Sequence, residues 1–376
     1  MFLKFKKLLE KQNNRLYYII AGEASGDLHG ANIMSKLLQL DENIIFRGVG
    51  GPLMGKQGLK SLVDFNRLSV MGFLEIVRDL CFLLKIKKVI IANIKKIKPD
   101  KIILIDYPGF NLSLAKSIKK NLNIPIIFYI SPQVWAWNEG RVNIIKKFID
   151  QLIVVFPFEK NWYKKRKIDV NYFGHPLIDL YNENKNNQAA HSSPAIGLFP
   201  GSRKQEINYH LPLFEKIIKL IQKIKPEVRF VMGLAPGTPL RKTVAFSQKY
   251  GVQIIKNNSW GAFNRSSVAI VASGTATLEC AISNTPFVVI YKTSLASWLI
   301  ARLLLSVKYI SIINILAQKL VVEEFIQFGA RPEKIVSSVL SLLKNSEEVK
   351  QTLSTIVASL GSGQVYKNTA KHIINC

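Results

Sequence analysis

The residues able to do chemistry sit in a few short segments, each following an apolar run. The first is Ala21-Gly22-Glu23-Ala24-Ser25-Gly26-Asp27-Leu28-His29-Gly30-Ala31. Glycines at a strand-to-helix turn let backbone N–H groups approach a ligand. The segment is not a GxGxxG fingerprint, and Glu23 and Asp27 would repel a pyrophosphate. It suits recognition of hydroxyl or amide groups on a neutral part of a substrate, through Gly22, Glu23, Ser25, Gly26 and Asp27. Read for structure alone, Ser25 or Asp27 is a helix N-cap. The second segment is Asp106-Tyr107-Pro108-Gly109-Phe110-Asn111. A carboxylate at a strand's carboxyl end can act as general base toward a hydroxyl. An Asp before Pro-Gly equally reads as a turn former. Ser131-Pro132-Gln133-Val134-Trp135-Ala136-Trp137 fits either a sugar- or acyl-facing wall or a packed loop, and His175 reads as a structural histidine at a hinge.

Two segments in the second half of the chain suit an anion. Pro200-Gly201-Ser202-Arg203-Lys204-Gln205-Glu206 ends a strand and opens a helix, so backbone N–H groups, Ser202 and the Arg203 guanidinium form a cradle for a diphosphate. Ser273-Gly274-Thr275-Ala276-Thr277-Leu278-Glu279 repeats the arrangement, with Gly274, Thr275 and Thr277 suited to phosphate oxygens. Glu279, one turn into that helix, can accept from two vicinal ribose hydroxyls. Together these point to a nucleoside diphosphate. The Walker A pattern is missing, and no DxD-like pair stands at a strand end to hold a diphosphate through a metal. Cys81, Cys280 and Cys376 are too few and scattered for a disulfide framework or a metal site. Neither metal nor cofactor is expected.

Parallel α/β architecture is what would place these segments. The runs 17–24, 43–50, 101–107, 124–131, 151–156 and 170–174 are rich in Ile, Val and aromatics and read as buried strands. Helical patterns at 27–40, 74–98, 111–122 and 138–148 alternate with them. The polar stretch 182–194 reads as a linker, beyond which the rhythm resumes at 195–200, 229–235, 252–256, 268–273 and 286–291. The expectation is two Rossmann-like, doubly wound α/β domains in tandem, with ligands in the inter-domain cleft. Their limits are set at 1–181 and 195–345, with a helical tail over 346–376.

The chain has 376 residues, 48% hydrophobic, which excludes a disordered protein and leaves room for two or three domains. Its 52 Lys and Arg against 25 Asp and Glu give a net charge of +27. That excess asks for an anionic partner, or else reflects a compositional preference for lysine on solvated faces. Residues 2–11 read as a short basic amphipathic helix, suited to anionic lipid or to loose packing on the domain. Over 65–84, apolar residues that include Val70, Met71, Phe73, Leu74 and Val77 cover more than one helical face, with Lys85, Lys87 and Lys88 following. This reads as a buried helix or as an acyl- or bilayer-facing patch. No segment reaches the ~20 predominantly apolar residues of a membrane span.

Taken in order, AGEASGDLHGA, GVGGPLM, SVMGFLEI, DYPGFN, SPQVWAW, GHPL, LFPGSR, SGTATLE and YISIINILA with VVEEFIQ resemble the lipid-A-disaccharide synthases, over about Tyr18 to Gln327. The resemblance implies a GT-B fold (glycosyltransferase family 19) and an inverting transfer without a covalent intermediate. The donor would be UDP-2,3-diacylglucosamine and the acceptor 2,3-diacylglucosamine 1-phosphate. The products would be the β-1,6-linked disaccharide 1-phosphate and UDP. It further implies a cytoplasmic protein peripherally associated with the inner membrane, a possible homodimer, and no nucleic-acid partner. By matching position, Asp106 is the general base and Glu23 positions the acceptor or stands in reserve as base. Arg203, Thr275 and Thr277 hold the diphosphate, Glu279 holds the ribose, and Asn314 lies near the nucleotide sugar. Lys319 departs from the family's more common Arg, exchanging a bidentate fork for a point charge. The rivals are another UDP-sugar GT-B enzyme, transferase or epimerase; a basic nucleic-acid-binding protein; and an inactive lipid-binding scaffold.

Overall fold

The computed structural model describes residues 14–65, 80–184, 194–304 and 306–376. Val70, Met71, Phe73, Leu74 and Val77, the basic stretch 2–11 and most of the expected linker lie outside these residues. The apolar runs become strands of two parallel sheets. The first sheet holds β1 (Arg15–Ala21), β2 (Ile44–Val49), β3 (Lys60–Ser61), β4 (Lys101–Ile105), β5 (Ile126–Tyr129), β6 (Gln151–Val154) and β7 (Asn171–Tyr172), in the order β3-β2-β1-β4-β5-β6-β7. The second holds β8 (Ala195–Phe199), β9 (Arg229–Leu234), β10 (Gln253–Lys256), β11 (Val268–Ala272), β12 (Phe287–Tyr291) and β13 (Glu324–Ile326), in the order β10-β9-β8-β11-β12-β13. Strands covered by helices on both faces need apolar residues at every position, not alternate ones. β8 and β11 are accordingly buried throughout.

Each sheet belongs to its own packing unit, one formed by residues 1–176 and 362–376, the other by 177–361. Each unit has a core: Tyr18, Leu104, Phe128 and Ile90 in the first, Leu198, Phe214, Ile270 and Val336 in the second. The boundaries differ from those expected at 181, 195 and 345. Helices Pro332–Lys344 and Glu347–Ala358 stay with the second unit, whereas the last helix returns to the first. That helix (Val365–Asn375) lies along the one that opens after β1 (Ala24–Leu40). Tyr366 Oη and His29 Nδ1 share a 2.8 Å hydrogen bond, and Lys101 Nζ donates to the carbonyls of Ile373 and Ile374 at 2.6 and 3.0 Å. A lysine on the free carbonyls of a helix C-terminus satisfies groups that have no intrahelical donor. Among the described residues no helix is long and apolar enough to cross a membrane.

In both sheets the chain winds outward from a central strand, then returns to build the other half. The switch point lies between β1 and β4 in the first unit and between β8 and β11 in the second. In such sheets the crevice beyond the strands' carboxyl ends at the switch point is where ligands bind. The segments singled out for chemistry stand there. Ala21 pairs with Ile105, so Gly22-Glu23 and Asp106-Tyr107 leave adjacent strands together, and Phe199 pairs with Val271, so Pro200–Arg203 and Ser273–Thr275 do the same.

Candidate active site

In the first unit, helix α1 (Ala24–Leu40) starts at once after β1, with Glu23 as its extended N-cap residue. Gly22 has no room for a side chain, because an added Cβ would come within 2.4 Å of the Tyr107 ring. Because Ala21 pairs with Ile105, the two turns leave adjacent strands, and Glu23 stands near enough to Asp106 for its charge to act on it. Asp106 and Tyr107 both take left-handed conformations, φ 45° and 49°, which are unfavourable for residues with a Cβ. The turn is held from behind by Asn111, in helix α2 (Pro108–Lys119). Its fully buried amide Nδ2 donates to the carbonyls of Asp106 at 2.7 Å and Ile105 at 3.3 Å. The Asp106 N–H donates to Tyr129 O at 3.0 Å. Burial, then the charge of Glu23, raise the Asp106 carboxyl to about 7, against the pull of the Tyr107 N–H. A carboxyl that exchanges its proton near neutrality suits a general base.

The other acid of the first turn does something else. Asp27 is buried, and its carboxylate accepts from the N–H groups of Gly51 (2.8 Å), Leu53 (3.0 Å) and Met54 (3.0 Å). It braces the Gly50-Gly51-Pro52 turn and is corrected here from a substrate-facing acid to an internal one. Gly26 is also buried, facing β1, where an added Cβ would come within 3.2 Å of Ala21 Cβ; Ser25 is exposed. The Ser131–Trp137 loop is packed. Buried Glu159 accepts from Ser131 Oγ (2.8 Å), Trp135 Nε1 (3.0 Å) and the N–H groups of Val155 (3.2 Å) and Phe156 (3.0 Å). Trp137 lies under the Arg141 guanidinium, 4.6 Å away. His175 packs on Phe156, ring centroids 5.2 Å apart, and burial drives its imidazole down to about 3, so it stays neutral.

In the second unit, Gly201 turns the chain at φ 93° with the Glu206 carboxylate against it. Helix α3 (Lys204–Ile224) begins here, and Glu206 Oε2 accepts from the N–H groups of Ser202 (2.9 Å) and Arg203 (3.1 Å). Those amides, expected to cradle a diphosphate, are thus occupied by the helix's own acid. The Arg203 side chain is 70% exposed, with Nη1 3.5 Å from Glu206 Oε1. Behind the turn stands buried His210. Because a carbonyl can only accept, its Nδ1 donates to Pro200 O (2.7 Å) while Nε2 accepts from the Lys292 N–H (3.0 Å). One neutral tautomer therefore ties the Arg203 turn to the end of β12.

The neighbouring turn opens helix α4 (Thr275–Ile282) from Gly274, at φ 153°. Gly274 and Thr275 are exposed. Thr277 is fully buried, and its hydroxyl donates to the Gly274 carbonyl at 2.7 Å, so it shapes the turn and does not reach a phosphate. Glu279 is raised to about 7 by burial, opposed by a hydrogen bond from Ser259. Asn314 is also corrected. It is fully buried, its Nδ2 donates to Val322 O and Glu324 Oε1, both at 2.8 Å, and its Oδ1 accepts from the N–H groups of Val321 (2.8 Å) and Val322 (3.0 Å). The amide's donors and acceptors are all engaged within the fold. Asn314→Ala is expected to lower the unfolding free energy by about 2–4 kcal/mol with little change in ligand affinity. Urea denaturation and UDP titration read the two effects; lost affinity at unchanged stability would return Asn314 to the ligand. Lys319 is exposed.

Asn111, Glu159, His210 and Glu206 had no assigned role from the sequence. The spacing Arg203-x-x-Glu206 is that of a capping box and was the available signal for Glu206. Asn111 is expected to matter through the Asp106 turn. Its change to Ala should destabilise the fold by about 1–3 kcal/mol and move the pH midpoint of any Asp106-dependent reaction. An unmoved midpoint would reduce Asn111 to a purely structural residue.

The family model described as Lipid-A-disaccharide synthetase matches residues 17–374. A lipid-A-disaccharide synthase of Syntrophus aciditrophicus is 37% identical over 362 residues, covering 93% of this chain and 94% of its own. One from Coxiella burnetii is 35% identical over 373 residues, covering 96% and 99%. Among solved structures, UDP-GlcNAc 2-epimerase from Neisseria meningitidis bound to UDP-GlcNAc aligns with a TM-score of 0.61 at 14% identity, covering 96% of this chain and 100% of its own. Acinetobacter baumannii MurG aligns at 0.58 and 12%, covering 96% and 100%. At such identities the solved structures share the fold alone, two Rossmann-like domains of GT-B type.

Proposed function

We propose, for a chain that belongs to the lipid-A-disaccharide synthetase family, that Asp106 is the base of an inverting glycosyl transfer. The donor is UDP-2,3-diacylglucosamine and the acceptor 2,3-diacylglucosamine 1-phosphate. The observation that carries this reading is the pairing of a carboxyl of near-neutral affinity for protons with a switch point, on a turn held left-handed at two successive residues. Asp106 takes the proton of the acceptor's 6-hydroxyl as that oxygen bonds to the donor's anomeric carbon from the face opposite UDP. The C1–O bond to the diphosphate breaks, UDP leaves with the electron pair, and the linkage is β-1,6. Glu23 positions the acceptor sugar and, by its charge, keeps Asp106 ready to hold a proton. Arg203, with the exposed Gly274-Thr275 turn, receives the diphosphate, and Glu279 the ribose. The UDP-sugar bound to the Neisseria relative supports a nucleotide-sugar donor in this fold.

The acylated substrates place the enzyme at the cytoplasmic face of the inner membrane, with 65–84 as its acyl- or bilayer-facing segment. Association into a homodimer completes the reading, and light scattering of the purified chain tests it. The decisive experiment is transfer in detergent with both substrates, followed by product mass. A folded protein that yields no disaccharide 1-phosphate would overturn the assignment.

A further inference from the structure

We propose that the outward face of helix α5 (Leu295–Leu304), together with Phe328, docks onto a bilayer carrying anionic headgroups. The proposal rests on the acyl-substrate reading above and adds a contact surface in the second unit, separate in sequence from 65–84. Leu295, Leu299 and Leu303 recur every fourth residue, hence on one face, and are 57%, 53% and 85% exposed. Leu303 and Phe328, at 69%, are the most exposed large apolar side chains among the described residues. Phe328 meets the Trp298 ring edge-on at 5.8 Å, and the Arg302 guanidinium stands over that same Trp298 ring, 5.4 Å from its centroid. Leucines with an aromatic edge and a cation among them are what a helix lying in a headgroup boundary presents.

Charge selects the occupant. From Cys280 to Val322 the chain carries Lys292, Arg302, Lys308 and Lys319 and no Asp or Glu. A second copy docking by the same face would bring its own Lys292, Arg302, Lys308 and Lys319 to the contact, doubling the positive charge with no carboxylate on that stretch to offset it. An anionic lipid surface takes both the leucines and the cations.

The test is co-sedimentation of the full chain with vesicles of phosphatidylcholine alone or mixed with phosphatidylglycerol. Wild type should bind the mixed vesicles. Leu299→Ser/Leu303→Ser should weaken that binding roughly tenfold or more, and Arg302→Gln should remove part of the preference for phosphatidylglycerol. The doubly substituted chain should keep its UDP-dependent thermal stabilisation and its turnover of detergent-dispersed substrates. Wild-type vesicle affinity in that chain overturns the proposal. So does a change in its oligomeric state by light scattering, which would assign the face to a second copy. Loss of wild-type transfer in detergent would instead refute the transferase reading, whatever the vesicles show.

Discussion

Asp106→Asn is expected to lower kcat by ~10²–10⁴-fold, the span associated with losing a general base, while UDP still stabilises the protein against heat. The substitution keeps the side chain's size and its place on the left-handed turn, so the loss isolates proton transfer. The pH dependence makes the same claim independently. The carboxyl's value of about 7 lies above its ordinary 3.8, so the proton is retained up to neutrality. As pH falls below about 7, the base is lost and kcat/KM should drop about tenfold per unit. Glu279, also at about 7, steepens the fall if the ribose is held by its ionised form. In Asp106→Asn the Asp106 component should vanish. Stability runs the other way. Between the unfolded value and about 7, the folded chain holds a proton that the unfolded chain has released, so stability falls as pH rises through this window. Removing the charge should therefore stabilise the protein above pH 7 by on the order of 1–3 kcal/mol and leave it nearly unchanged near pH 4. Turnover that survives in a pure preparation would refute Asp106 as the base, whatever the stability does.

The same residue shows what the sequence could and could not convey. A run such as KIILI, bounded by Asp and followed by Pro-Gly, is readable as a buried strand because its apolar residues are continuous. Two strands at the sheet margins are not: β3, at the edge of the first sheet, is the dipeptide Lys60–Ser61, and β13, at the edge of the second, is Glu324–Ile326, each too short to show a pattern. The return of the last helix to the first unit had no local signal either. It depends on contacts such as His29 with Tyr366, which no spacing rule joins. Within the site, type and turn placed Asp106, Arg203 and Gly274 at the switch points. They could not separate a residue facing ligand from one facing the chain. Asp27, Thr277 and Asn314 are the same residue types that bind substrates, and each is turned inward: Thr277 onto the Gly274 carbonyl of its own turn, Asp27 onto the N–H groups of the Gly51–Met54 segment, and Asn314 onto those of Val321 and Val322. A hydroxyl or amide serves a free N–H and a sugar by the same chemistry, so only the burial of the neighbourhood decides between them.

Arg203→Ala is expected to weaken UDP binding by about 10–100-fold, the range for one or two charge-assisted hydrogen bonds to a diphosphate. The magnitude follows from who already occupies the turn. Glu206 accepts from the Ser202 and Arg203 N–H groups, so these amides are not open to a phosphate while that carboxylate stays. The guanidinium is the group left free to move, since an exposed ion pair at 3.5 Å holds it by no more than about 1 kcal/mol. For the same reason Arg203→Ala should change folding stability little, and the loss should appear in donor KM and UDP affinity, not in acceptor KM. Arg203→Lys should recover part of the binding, since a point charge supplies attraction without the fork. Glu206→Gln separates the two sources of donors. Its side-chain oxygen can still cap α3, while the negative charge that faces an incoming diphosphate is gone, so UDP should bind more tightly and the helix should stay intact. Calorimetric titration with UDP reads all three variants. Unchanged affinity in Arg203→Ala together with tighter binding in Glu206→Gln would mean that a diphosphate displaces the carboxylate and takes the amides of Ser202 and Arg203, leaving the guanidinium outside the complex.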